Sequence, residues 1–74
     1  MKLPVLSGKD VVRFLESRGF EQDHQTGSHL ILRQPLAPYR RVSVPMHKVI
    51  VPGTLLKILK EADATRQDLE NFLG

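Results

Sequence analysis

Apolar positions change their spacing twice along this chain. Val11, Val12, Phe14 and Leu15 recur at the intervals of a single helix face. Ser7 precedes them, and Asp10 lies three residues after it, a loose form of the capping-box spacing. Gly19 sits where a left-handed C-terminal cap belongs, and Phe20 can fold back on the last turn. The pattern predicts a helix over about 8–18. From Arg40 to Met46 the period becomes two: Val42, Val44 and Met46 alternate with Arg41 and Ser43, which predicts a strand. Leu30-Ile31-Leu32 belongs to another strand, about 28–34, behind a turn at Thr26-Gly27. A third and far more polar strand is expected over about 20–25. Pro35-Leu36-Ala37-Pro38 reads as a rigid loop. Helical spacing returns at Leu55, Leu56, Ile58, Leu59 and Ala62, with Lys57 and Lys60 toward water. Pro52 is tolerated near that start, and Thr54 is expected to cap it. Thr65 with Asp68 caps a short last helix, whose Leu69, Phe72 and Leu73 can cover the edge of the core.

The order is helix, three strands, helix, helix. It predicts an α+β domain with helices on one face of a three-stranded antiparallel sheet. Pairing the second and third strands as a hairpin turns Leu30 and Leu32 toward the helices with the valines. His29, Ile31 and Arg33 then share the opposite face with Arg41 and Ser43. Residues 1–74 suit a single small domain, and 41% hydrophobic content suffices for one core. The chain has no cysteine, so disulfides and cysteine-based zinc sites are excluded, and a reducing cytoplasm is expected. No apolar stretch reaches membrane-spanning length, so no membrane partner is expected. Met1-Lys2-Leu3-Pro4 begins like a secretion signal, but Pro4, Ser7 and Asp10 interrupt it before an apolar region forms.

Charge sharpens the picture. Residues 24–60 contain Arg33, Arg40, Arg41, Lys48, Lys57 and Lys60, all three histidines, and no acid. The flanks are neutral over 1–23 and acidic over 61–74, so a net charge of +3 understates how basic the centre is. Such asymmetry favours a nucleic-acid partner over a membrane surface. A solvated charged face is the plainer alternative.

Within that segment Gly27-Ser28-His29 stands at the mouth of an apolar strand. A histidine there reads either as a turn-bonded structural residue or as a proton carrier on a phosphate-handling surface. Ser28 has no nucleophile-elbow context and reads as a turn or phosphate contact. His24, His29 and His47 have no acid in the segment to complete a metal site, and no cofactor is expected.

Four blocks, in order, resemble the HicA (YcfA-like) toxins over nearly the whole chain. Ser7-Gly8-Lys9-Asp10 with Val11-Val12 and Leu15 looks like the opening helix of that family, and Gly19-Phe20 like its end. Gly27-Ser28-His29 is similar to its signature, and Val44-Pro45-Met46-His47 to its second block. Gly53-Thr54-Leu55 with Ile58-Leu59 resembles its next helix entrance. Thr26 and His24 depart from the pattern, standing where a basic residue is common. The resemblance implies a double-stranded-RNA-binding-domain-like α-β-β-β-α fold, here with a short extra C-terminal helix. It implies the toxin of a bacterial type II toxin–antitoxin pair, a metal-independent ribonuclease that cleaves mRNA in the cytoplasm with one catalytic histidine, His29. Ser28, Arg33, Arg41, His47 and Lys48 are the expected RNA contacts, with Arg33 and Arg41 beside His29. Water, His24 or His47 would supply the second proton carrier. The free toxin is expected to be monomeric and to assemble with a HicB-like antitoxin. The alternatives are a non-catalytic RNA-binding module with the same charges, and a protein-interaction module with an acidic partner.

Overall fold

The computed structural model describes residues 3–74. Its elements are α1 (Gly8–Ser17), β1 (Glu21–Thr26), β2 (His29–Arg33), β3 (Arg41–Pro45), α2 (Pro52–Glu61) and α3 (Arg66–Leu73). The strands make one antiparallel sheet in the order β1-β2-β3.

Local chemistry sets most boundaries. Ser7 and Asp10 form a reciprocal capping box at the start of α1, and Thr65 and Asp68 form another at α3. At the end of α1, Gly19 has φ of 92°, and the amides of Gly19 and Phe20 donate to Glu16 and Leu15 carbonyls. Two orphan carbonyls are thereby satisfied, and Phe20 is buried against the core. At α2 the expectation fails. The N-cap is Val51, in extended conformation and without a side-chain cap, and Thr54 lies inside the first turn. Pro52 at the first helical position explains this, because its fixed φ starts the helix where it stands.

The hairpin pairs Leu30 with Val44, Leu32 with Val42, Ile31 with Ser43, and Arg33 with Arg41. Leu30, Leu32, Val42 and Val44 join Val11, Val12, Phe14 and Leu15 of α1, Leu55, Ile58 and Leu59 of α2, and Leu69 of α3 in one core. The helices therefore cover one face of the sheet, and no helix among the described residues covers the other, which is exposed apart from the buried Ile31 and Pro45. β1 adds nothing to the core: all six of its residues are exposed. A bulge between Gln22 and His24 interrupts its pairing with β2. α3 closes the helical layer, with Phe72 meeting Phe14 edge-to-face at 5.6 Å and Arg18 reaching Asp68 at 3.6 Å.

Residues 46–51 form a strap from the sheet to α2. The Met46 amide donates to the Ser28 carbonyl at 2.6 Å, and the Ile50 amide to Leu6 at 2.7 Å. Between them the Gly8 amide, first in α1, donates to the His47 carbonyl at 2.9 Å. Gly8 allows that approach. A β-carbon there would lie 2.6 Å from the Pro45 carbonyl oxygen and 2.9 Å from the Met46 α-carbon. From the strap, α2 returns antiparallel along β3, so that Arg40 just before β3 meets the far end of α2. Its guanidinium donates to the Glu61 carbonyl at 3.4 Å and lies 3.8 Å from Asp63. Among the described residues, no helix is long and apolar enough to cross a membrane.

Candidate active site

His29 is placed by a two-residue turn. Thr26 pairs with His29 across Gly27-Ser28, and Gly27 has φ of 58°, a conformation such a tight hairpin needs and glycine adopts without strain. His29 is thus the first residue of β2, exposed on the open face, with Pro45 its partner on β3. One residue back, the Ser28 carbonyl anchors the strap through Met46, while its hydroxyl has no partner among the described residues.

Beside His29, between the end of β3, the strap and α2, lies an open cleft of about 490 Å³. His29, Ser43, His47, Thr54, Lys57 and Glu61 supply its polar walls. Thr54, Lys57 and Glu61 stand three and four residues apart on α2 and so share one stripe of that helix. Since the Arg40 contact fixes Glu61 at the other end of β3, the Thr54 end of this stripe is the one nearest His29. Lys57 forms no ion pair or hydrogen bond among the described residues, although Glu61, one turn farther along the same stripe, also lines the cleft. Two imidazoles, two hydroxyls, an ammonium and, toward the far end, the Glu61 carboxylate line one open cleft, a set of donors and acceptors that can move a proton and hold an anion.

The structure separates the expected site residues. His29 and His47 share the cleft. Lys48 is exposed on the strap, and a shallower groove lined by Ser7, Lys9, Met46, His47 and Lys48 runs alongside. Arg33 and Arg41 share the face of His29 but not its neighbourhood. They pair with each other at the other end of β2, four residues and about 13 Å away at the usual strand rise. Period two gives the face of a side chain and not its place along the strand, so the expected adjacency to His29 does not hold.

Nor is the acid-free stretch acid-free in space. Asp23, at the β1 bulge, lies 3.2 Å from the Arg33 Nε and 2.6 Å from the His24 Nδ1. Its carboxyl is held below its ordinary value, first by the hydrogen bond from His24 and then by Arg33. Arg33 is therefore partly neutralised, whereas Arg41 has no partner among the described residues. His24 shares the open face but belongs to this cluster, across β2 from the cleft. The three histidines are not gathered, and among the described residues no group of three or more His, Asp or Glu is placed to hold a metal ion.

Lys57, Ser43 and Thr54 are functional candidates that sequence reasoning missed. The available signal was the spacing of Thr54 and Lys57 on one helix stripe, and it needed the placement of α2 beside β3 to acquire meaning.

Comparison with curated proteins yields no match. Comparison with protein families gives a match to the family described as "HicA toxin of bacterial toxin-antitoxin" over residues 8–64. The match begins at the first residue of α1, carries the turn before His29, the strap and α2, and stops just short of the α3 cap. It spans well over half of the chain, and this protein accordingly belongs to the HicA toxin family of bacterial toxin–antitoxin systems.

Proposed function

We propose that the protein is the toxin of a type II pair and works as a metal-independent endoribonuclease on mRNA in the cytoplasm, with His29 as its catalytic imidazole. The observation that carries this reading is the exposed His29 at the edge of a cleft that also holds a second imidazole and an ammonium with no ion-pair partner among the described residues. RNA brings its own nucleophile. Its 2′-hydroxyl attacks the adjacent phosphorus once a base takes the proton and cations hold the phosphoryl oxygens. A positioned imidazole contributes about 10²–10⁴-fold to such a step. Ser28 and His47 beside His29, and Lys48 in the neighbouring groove, contact the RNA backbone there. Arg41, with Arg33 behind it, meets the backbone farther along the strand.

Nothing in the described residues covers His29, so silence requires a partner. We assign that role to a cognate HicB-like antitoxin that joins the monomeric toxin in a hetero-oligomer and occludes the open face of the sheet by shape and charge.

His29→Ala tests the catalytic assignment. Purified variant is expected to lose RNA cleavage and toxicity, keep RNA binding, and change stability by less than about 1 kcal/mol, as an exposed residue should. Cleavage that survives the substitution removes His29 from the mechanism. Wild-type protein that binds RNA without cutting it would instead be a binding module.

A further inference from the structure

On the ribonuclease reading one proton carrier is not enough. As the O2′–P bond forms, the 2′-oxygen must lose a proton. As the P–O5′ bond breaks, the departing 5′-oxygen must gain one. A single imidazole serves both positions poorly, because they lie on opposite sides of the phosphorus in an in-line displacement. The cleft supplies the missing group. We infer that His47 is the second proton carrier, paired with His29, and that Lys57 holds the non-bridging phosphoryl oxygens.

Three observations favour these residues over their rivals. First, His47 and His29 line the same cleft, although they lie on separate segments. The backbone of each is tied: that of His29 by the ladder to β1 and β3, that of His47 by the Gly8 amide on its carbonyl. Second, His24 is occupied by Asp23 at 2.6 Å and lies outside the cleft. Third, Glu61, the carboxylate in the cleft wall, is at the end of α2 that meets Arg40, away from His29. Among the described residues, Lys57 is the cation without an ion-pair partner that lines this cleft, whereas Lys48 lies in the neighbouring groove and Arg41 toward the far end of the strands.

The step balances without another reactant. One imidazole removes the 2′-hydroxyl proton, O2′ bonds to phosphorus, the P–O5′ bond breaks, and the other imidazolium protonates O5′. The products are a 2′,3′-cyclic phosphate and a 5′-hydroxyl. Lys57 neutralises charge on the phosphoryl oxygens throughout.

Cleavage of a short single-stranded RNA, followed against pH, reads the pair directly. Wild-type protein should give a bell-shaped profile. His47→Gln should lower the rate about 10²–10⁴-fold and flatten one limb, while His29→Gln flattens the other. RNA with sulfur in place of the departing 5′-oxygen sharpens the assignment, since a thiolate leaves without a proton. It should restore the rate of one histidine variant and not the other. Lys57→Met should lower kcat about 10²–10³-fold with both limbs kept, and Lys57→Arg should recover part of it. His47 and Lys57 are exposed, so thermal midpoints should stay near wild type. If His29→Gln is inactive while His47→Gln keeps a full rate and both limbs, the pair is wrong and the ribonuclease reading survives. If the sulfur substrate rescues neither histidine variant, the pair is also wrong. If wild-type protein cuts no RNA, both readings fall.

Discussion

Arg33 and Arg41 face each other across the hairpin, and like charges in that relation repel. Asp23 relieves Arg33 at 3.2 Å and leaves Arg41 unpaired. The two arginines should therefore behave differently toward RNA. Arg41→Ala is expected to lower the salt slope of log affinity by about 0.7, the loss of one phosphate contact on a single strand. Arg33→Ala should lower it less, because removing Arg33 also frees the carboxylate of Asp23. Equal slopes in the two variants would show that the Asp23 pair does not persist in solution. Carboxylates matter to stability as well. Asp10 and Asp68 are held below their ordinary value chiefly by hydrogen bonds from the backbone amides of Ser7 and Thr65, and Asp23 by His24. A depressed folded value means that the unfolded chain binds protons first as pH falls. The stabilisation is thus complete well above the unfolded value near 3.9, and is lost as pH drops through it toward the folded values. Urea midpoints measured from pH 6 to pH 2.5 should fall only in the acid range, and Asp10→Asn with Asp68→Asn should flatten that fall. An unchanged acid limb in the double variant would place the titrating groups elsewhere.

Between elements, the start of α1 packs tightly against the end of β3. Gly8→Ala would drive a methyl group into two backbone positions that cannot rotate away. A cost of about 1–3 kcal/mol is expected from the strain. Cleavage should fall further than stability explains, because the same residue holds the His47 carbonyl. A Gly8→Ala protein with wild-type midpoint and rate would show that the junction yields freely. The elements themselves were largely legible from sequence. Ser7 with Asp10, Thr65 with Asp68, and Gly19 are chemical marks that a helix end cannot easily do without, and alternation at Val42 and Val44 allowed only one buried face. At α2 the start near Pro52 was legible, and only the cap was misassigned, because Thr54 is a good cap in isolation. Pro52 had already fixed the first turn, and a helix can begin without a side-chain cap when water meets its first amides. The bulge at Asp23 left no sign in sequence, since β1 carries no apolar alternation that an extra residue could break.

In the whole molecule the open and covered faces of the sheet divide function from folding. His29 was legible because its turn is local, two residues that begin with a glycine. The rest of the cleft was not. His47 was expected there only through the family's second block, and Lys57 comes from a segment that meets His29 only once α2 folds back along β3, a meeting that no local periodicity encodes. The same division predicts where a partner sits. Hydrogen exchange on the toxin with its antitoxin should show protection over residues 28–47 and little change on the exposed faces of α1 and α2. Protection confined to 8–18 and 54–62 would mean that inhibition works from the helical side. β1 carries a last consequence. Because none of its six side chains is buried, the strand is held by backbone pairing and by surface contacts such as Asp23 with Arg33 and Gln22 with Glu16, and the core does not constrain which side chains it carries. Selection for stability thus has little grip on residues 21–26, whereas selection for what the open face touches has full access to them. Thr26 and the His24–Asp23 pair are accordingly positions at which the open face can change its chemistry without disturbing the core.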